Sequence, residues 1–125
     1  MKDKIYLYTR DFGDEGPHLI GVITKADDAY TFEYDPDAHK HWYCTIQPLK
    51  DLTRVYGTKE TRSLFYRVIP LPDDSGMVEK FRKDLGLEVW DEWDALHALI
   101  KRASTNNGLP DRTANVFWRA SPCGS

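Results

Sequence analysis

The stretch HLIGVITKADDAYTFEYD, residues 18–35, predicts two β-strands joined by a tight turn. Its first part, 18–24, is an apolar run, and 29–34 alternates between apolar and polar side chains as a half-buried strand does. The polar connection KADD (25–28) is short, which is typical of a β-hairpin. Gly21 lies inside the first run and predicts a β-bulge or a close approach of another backbone. The aromatic side chains of the second strand share one face: Tyr30, Phe32 and Tyr34.

Three further segments extend this hairpin into a sheet. Residues 4–9 alternate, with Ile5 and Leu7 on one face. Residues 42–46 have the composition of a fourth strand, and residues 114–118 that of a last strand closing the sheet. Because short turns between successive strands favour antiparallel pairing, we predict an antiparallel β-meander of four to five strands.

The second half of the chain changes to a helical period. The segment DDSGMVEKFRKDLG, residues 73–86, begins with three candidate N-caps, Asp73, Asp74 and Ser75. Gly86 is placed to end this helix in the left-handed conformation that glycine adopts readily. The apolar positions follow helical spacing: Met77, Val78, Phe81 and Leu85.

A second helix is predicted from about Asp91 to Ala103. Asp91 can cap its N-terminus, and His97 lies beside its apolar stripe as a boundary residue. The stripe comprises Trp93, Leu96, Leu99 and Ile100. Residues 47–62 are predicted to form a long connection, and residues 63–70 fit either a helical turn or a strand.

Length and composition indicate one globular domain. The 125 residues are 41% hydrophobic and 30% charged, which is the balance of a folded rather than a disordered chain. We predict a single α+β domain over residues 1–118, with two helices in its C-terminal half packed on the sheet, and a flexible tail at 119–125. The net charge of −3 argues against nucleic acid as the primary ligand, because phosphate binding needs a clustered positive field.

The two cysteines, Cys44 and Cys123, fit neither a disulfide framework nor a CxxC pattern. The N-terminal residues lack the apolar run of a signal peptide, and no segment has the ~20 apolar residues of a membrane span. The expectation is therefore a reduced, soluble, cytoplasmic protein that does not use a membrane.

The run YDPDAHKHWYC, residues 34–44, is rich in potential metal ligands. His39 and His41 are two residues apart, so on a strand they would point the same way and could share an ion with Cys44. The spacing matches no recognised site, however, and Asp-Pro-Asp at 35–37 is typical of a turn. We therefore expect a solvated loop and no metal or other cofactor.

Other catalytic motifs are missing from the sequence. It has no G-x-S-x-G elbow, no Walker-type glycine run and no G-x-G-x-x-G. Carboxylate pairs such as Asp27/Asp28 fall at predicted turns or helix starts, where turn formation and capping account for them. The prediction is a protein without enzymatic activity.

Large aromatic side chains are more numerous than a small core needs. Tryptophan and tyrosine are enriched at protein interfaces, where they anchor in pockets of a partner. The candidates for partner binding are Trp42, Tyr56 and Trp90.

Four segments together resemble the N-terminal subdomain of HipA-type toxin kinases and the small stand-alone, HipS-like versions of it. They are LIGVITKADDAYTFEYD (19–35), YCTIQPLKDL (43–52), LFYRVIPLPDDSGMVEKFRKDLGL (64–87) and WDALHALIKRASTNNGLPDRTANVFW (93–118). The third is similar to the family's LF-x-x-F-x-x-x-L/I-P element followed by a helix. The shared motifs are apolar and structural.

The resemblance implies a non-catalytic module that packs on a partner protein, since the family's kinase chemistry lies in a separate domain. A stand-alone copy would regulate a toxin-like kinase, as an antitoxin does, or another host enzyme. Two departures concern the inhibitory mechanism. The family's glycine-rich ending is replaced by GLPDRTANVFW (108–118), and the aromatic residue that some stand-alone members carry after the L-P element is absent from residues 71–75. Met77 is the nearest large apolar residue and joins the partner-binding candidates.

Two alternatives remain open at this point. Small size and mild acidity also suit an inhibitor, encoded by a phage or mobile element, that blocks a host defence enzyme. The less favoured alternative is a metal-dependent enzyme that uses His39, His41 and Cys44.

Overall fold

The computed structural model describes residues 3–9, 18–37, 46, 49–103, 108–110 and 116–121. The strands are β1 Lys4–Thr9, β2 Leu19–Ala26, β3 Ala29–Tyr34, β4 Val55–Tyr56, β5 Leu109–Pro110 and β6 Val116–Arg119. The helices are α1 Thr58–Phe65, α2 Ser75–Asp84 and α3 Glu92–Arg102. The strands form one antiparallel sheet in the order β4-β3-β2-β1-β6-β5. The predicted α+β class is confirmed, with more strands and helices than expected.

The β2–β3 hairpin lies near the centre of the sheet, as predicted. Ala26 pairs with Ala29 across the turn, and Asp27 adopts a positive φ of 56°. Gly21 also behaves as predicted. The register of β1 against β2 shifts beside it, and a Cβ at Gly21 would lie 2.7 Å from both the Glu33 carbonyl oxygen and the Phe32 ring. Only glycine fits between these two strands without displacing a neighbour.

The edge strand next to β3 differs from the prediction. Of the predicted strand 42–46, the first four residues lie outside the described part, and Ile46 forms an isolated bridge with Leu49. On the edge side, β3 pairs with β4, which lies within the segment 47–62 that was predicted to be a connection. The Tyr34 hydroxyl fixes the Ile46–Leu49 bridge, since it accepts a hydrogen bond from the Ile46 N–H at 2.9 Å and donates one to the Leu49 carbonyl.

Helices α2 and α3 begin and end where their capping residues predict. Asp74 caps α2 by accepting from the Met77 N–H at 3.3 Å, and Gly86 follows with a φ of +70°. Asp91 caps α3 by accepting from the Asp94 N–H at 2.9 Å. In the predicted α3 stripe Leu99 is half-buried, and the other three residues are buried: Trp93, Leu96 and Ile100.

Helix α1 was not predicted. Its last turn includes residues 63–65, so of the two structures left open for residues 63–70 the helical turn is the one observed. Its first turn is held by Glu60, whose carboxylate accepts from the Gly57 N–H at 2.9 Å. Helix α1 and α3 pack on the aromatic face of β3, where Tyr30 contacts both Phe65 and Trp93 at ring-centroid distances of 5.0 and 5.5 Å.

Helix α2 packs differently from its neighbours, because none of its residues is fully buried. Its predicted stripe is half-buried at Val78, Phe81 and Leu85 and largely exposed at Met77. Helix α2 therefore lies at the margin of the core. In the part of the chain that the structure describes, no helix has the length and apolarity needed to cross a bilayer. Strand β6 includes Arg119, the first residue of the predicted tail, and residues 122–125 lie outside the described part.

Candidate protein-binding surface

The four predicted partner-binding residues have different environments. Trp42 lies outside the described residues. Tyr56 is a core residue, only 4% exposed, and its hydroxyl accepts from the Asp51 N–H at 2.9 Å. Its side chain therefore stabilises the fold and does not form part of the surface. Met77 is 40% exposed, and Trp90 is half-buried with one edge at the surface of a cleft.

Met77 lies at a small cleft between α2 and the chain that follows α1. This Met77 cleft has a volume of about 160 Å³ and is lined by Tyr66, Val68, Pro70, Met77 and Phe81, together with their neighbours Arg67 and Ile69. Most of these side chains are apolar, and none of the α2 residues is fully buried, so the cleft is a largely apolar depression at the margin of the core.

Trp90 lies at a second cleft, at the junction of the hairpin turn, α1 and the start of α3. This Trp90 cleft has a volume of about 330 Å³. Its walls are formed by Asp28, Tyr30, Thr58, Arg62, Pro72, Trp90, Asp91 and Glu92. Two aromatic rings and three carboxylates thus surround one opening.

The two clefts lie on either side of the short segment Pro70-Leu71-Pro72. Pro70 lines the Met77 cleft and Pro72 lines the Trp90 cleft. Two residues of extended chain span at most about 7 Å, so the clefts are adjacent. Leu71 lies between them with 53% of its surface exposed. We call the combination of both clefts and Leu71 the double-cleft surface.

Local hydrogen bonds position the residues of the Trp90 cleft. The Thr58 hydroxyl accepts from the Tyr30 N–H at 3.1 Å and thereby ties the start of α1 to β3. Asp91 is held by its capping bond to α3, and Asp28 is part of the tight turn of the hairpin. The aromatic and acidic groups consequently project from elements that are fixed by backbone hydrogen bonds.

Glu92 connects α1 and α3, which both contribute residues to the lining of the Trp90 cleft. It accepts a hydrogen bond from the Arg62 Nε at 2.9 Å and another from the Tyr66 hydroxyl at 2.8 Å, so it joins α1 to α3. Burial, followed by the hydrogen bond to Glu92, raises the pKa of Tyr66 to about 12. The hydrogen bond that Arg62 donates to Glu92 raises the pKa of Arg62. Tyr66 is therefore a protonated hydrogen-bond donor to Glu92 at neutral pH.

Three carboxylates and one guanidinium line the Trp90 cleft, so the formal charge of its lining is negative. The pKa of Tyr30 is raised, first by burial and then by the charges of Asp91 and Glu92, against the opposing effect of Arg62. A raised tyrosine pKa is the effect expected of nearby carboxylates, since they disfavour a further negative charge.

A larger groove, of about 980 Å³, runs along α3 and is lined in part by Leu85, Leu87, Ala98 and Ala120. Asp94, Lys101 and Arg102 bring both signs of charge to its rim. His97, which the sequence places at the boundary of the apolar stripe, is buried here and contacts the Trp93 ring at 5.1 Å. With mixed charges, this groove indicates no particular ligand chemistry.

The predicted metal ligands His39, His41 and Cys44 lie outside the described residues. Within the described part, no three metal-binding side chains form a group that could hold an ion. Asp35 and Asp37 form the predicted turn, in which the Asp37 N–H donates to the Asp35 carboxylate at 3.1 Å.

Comparison with known proteins gave no match to a protein-family model, a curated protein or a solved structure.

Met77 and Trp90, two of the candidates chosen from the sequence, lie at the two clefts, whereas Leu71, Asp28 and Tyr30 were not among the candidates. Leu71 lies between two prolines, which cannot donate a backbone hydrogen bond and so disfavour a helix or a central strand at 70–72. Asp28 and Tyr30 gave no such signal. They meet Trp90 only because α1 and α3 pack on the same face of the sheet.

Proposed function

We propose that this protein is a non-enzymatic regulator that binds a partner protein through the double-cleft surface. The observation that supports this proposal best is the exposure of Leu71 and Met77 beside two clefts, one of which contains Trp90. A single exposed apolar residue is ordinary, whereas apolar side chains grouped around concave pockets are typical of interaction sites.

The resemblance to HipA-type N-terminal subdomains supports a toxin-like kinase as the class of partner. In that proposal the protein acts like an antitoxin, by occupying the surface of a kinase to which it supplies no catalytic group. The HipA-like element LFYRVIPLP (64–72) contributes Leu71 and both prolines of the double-cleft surface.

The contribution of the two exposed side chains follows from their exposed fractions. Complete burial of a large apolar side chain is worth about 1.5–3 kcal/mol. Burying the exposed 53% of Leu71 and 40% of Met77 therefore contributes about 1.4–2.8 kcal/mol together. Removing both side chains should weaken binding by about 10- to 100-fold.

Affinity capture from cells that produce the protein tests the proposal. The baits are the native chain, the double variant Leu71→Ser/Met77→Ser and the control Val55→Ser. Val55 is 56% exposed but lies on β4, outside both clefts. A protein retained by the native chain and by the Val55 control, but lost with the double variant, supports the proposal. A set of captured proteins that is identical for all three baits refutes it.

A further inference from the structure

We propose that the Trp90 cleft receives an arginine side chain of the partner protein, an inference that rests on the proposed protein-binding function. The basis is the combination of a negative opening, aromatic walls and an unpaired indole donor next to an exposed apolar residue. A partner segment that carries an arginine close to an apolar residue would match both parts of the double-cleft surface.

The charges of the cleft are unbalanced. Glu92 is paired with Arg62 at 2.9 Å. Asp28 is exposed and has no ion-pair partner among the described residues, and Asp91 has only its capping bond to the Asp94 N–H. Two carboxylates are thus available to one cation, and a guanidinium offers enough N–H donors to bind both at once.

The walls of the cleft favour arginine over lysine. Tyr30 is held in place by ring contacts to Phe65 and Trp93, and Trp90 is the second aromatic residue of the lining. A planar guanidinium stacks on aromatic faces and is more weakly hydrated than an ammonium group, so it enters such a cleft at a lower cost.

The Trp90 indole has an N–H donor that the described residues leave unpaired. Its Nε1 is buried and has no hydrogen-bond acceptor within the described part of the chain. Buried donors are normally paired. The described residues leave this donor without an acceptor, and Trp90 is one of the residues that line the cleft.

The exposed Leu71 next to the cleft predicts a second feature of the partner sequence, which is an apolar residue. Leu71 is exposed immediately before Pro72, which forms part of the same cleft. An apolar residue of the partner can therefore cover Leu71 and extend toward Met77. The cleft volume of about 330 Å³ falls in the range of pockets that hold one compact ligand group.

Two blocked tripeptides test the inference on the native chain by NMR. One is Gly-Arg-Gly, and the other is Gly-citrulline-Gly, which has the same shape without the charge. At millimolar concentration we expect the arginine peptide to produce saturable shifts at the amides of Asp28 and Tyr30 and at the Trp90 indole. Equal shifts from both peptides, or no shifts at these residues, would overturn the inference.

Matched variants test whether the carboxylates of Asp28 and Asp91 bind the arginine peptide. Asp28→Asn/Asp91→Asn removes both charges, and asparagine remains a good N-cap, so α3 should be retained. The arginine peptide should bind this double variant about 3- to 10-fold more weakly. Asp27→Asn is the control, because Asp27 is the adjacent exposed turn residue and is outside the cleft lining.

The same variants separate this inference from the proposed function. If a captured partner loses affinity for Leu71→Ser/Met77→Ser but binds Asp28→Asn/Asp91→Asn as tightly as the native chain, protein binding stands and the arginine site is refuted. If the arginine peptide binds as expected but no partner distinguishes the Leu71 and Met77 variants, the arginine site stands and the proposed regulator is refuted.

Discussion

Replacing Glu92 by glutamine perturbs the carboxylate that connects α1 to α3 at the Trp90 cleft. The Glu92 side chain is 12% exposed and accepts from both Arg62 and Tyr66. Glutamine has nearly the same shape but only one acceptor oxygen. If this oxygen keeps the bond from Arg62, the amide N–H₂ faces Tyr66, whose hydroxyl must then accept instead of donate. The negative charge that strengthens both hydrogen bonds is removed.

The expected cost follows from the exposure of each partner. A hydrogen bond to a charged group contributes about 1.5–3 kcal/mol when it is protected from water. Arg62 is 41% exposed, so screening reduces its share to about 1 kcal/mol or less. Together with the weakened contact to Tyr66, we expect Glu92→Gln to lower the free energy of unfolding by about 1–2 kcal/mol.

Urea unfolding followed by tryptophan fluorescence measures this loss. Glu88→Gln is the control, because Glu88 is an exposed glutamate whose side chain has no ion-pair partner in the described part of the chain. The control should stay within about 0.5 kcal/mol of the native protein. A Glu92→Gln variant that matches the control would refute the role assigned to this carboxylate.

The same variant has a predicted signature at alkaline pH. The pKa of Tyr66 is about 12 in the folded protein, compared with an ordinary value of 10.0, so folding favours the protonated phenol. This stabilisation is complete below pH 10.0 and is lost as the pH rises toward 12. In Glu92→Gln the pKa of Tyr66 should fall but stay above 10.0, because burial is the larger cause. An ultraviolet titration that shows no change in tyrosine ionisation would contradict the assignment.

Two further substitutions test the framework that carries the surface. Tyr34→Phe leaves the buried Ile46 N–H without its acceptor and should cost about 2–4 kcal/mol of unfolding free energy, measured by chemical denaturation. A loss below about 0.5 kcal/mol would show that this hydroxyl is not needed. Gly21→Ala places a Cβ 2.7 Å from the Phe32 ring and should cost about 2–3 kcal/mol, with shifted amide resonances across β2 and β3. An alanine variant as stable as the native chain would refute the close approach of these strands.

Local sequence signals predicted the parts of the fold that depend on neighbouring residues. The alternation in β1 and β3 predicted these strands, the short connection predicted the β2–β3 hairpin, and Gly21 predicted the irregularity in β2. Asp74 and Asp91 predicted the starts of α2 and α3, because capping involves only the next three residues.

Elements that depend on distant packing were not predictable in this way. Helix α1 has few apolar residues in its first turn and is held by burial of Thr61, Leu64 and Phe65 in the core. Strand β4 is two residues long and exists because Tyr56 pairs with Phe32. A pattern search cannot distinguish so short a strand from a loop.

The candidate surface was predictable only in part for the same reason. Met77 could be proposed from the sequence, and Trp90 from its residue type. Tyr56 has the same residue type as many interface anchors, but its position opposite Phe32 places it in the core. Asp28 reaches the Trp90 cleft only through the packing of α1 and α3 against the sheet.

Isothermal titration calorimetry with the purified partner tests the central claim most directly. The account predicts that the Leu71→Ser/Met77→Ser variant binds about 10- to 100-fold more weakly than the native chain. It also predicts that Val55→Ser, which removes a comparably exposed side chain outside the double-cleft surface, binds with native affinity. Equal dissociation constants for the native chain and the double variant would contradict the claim that this surface binds the partner.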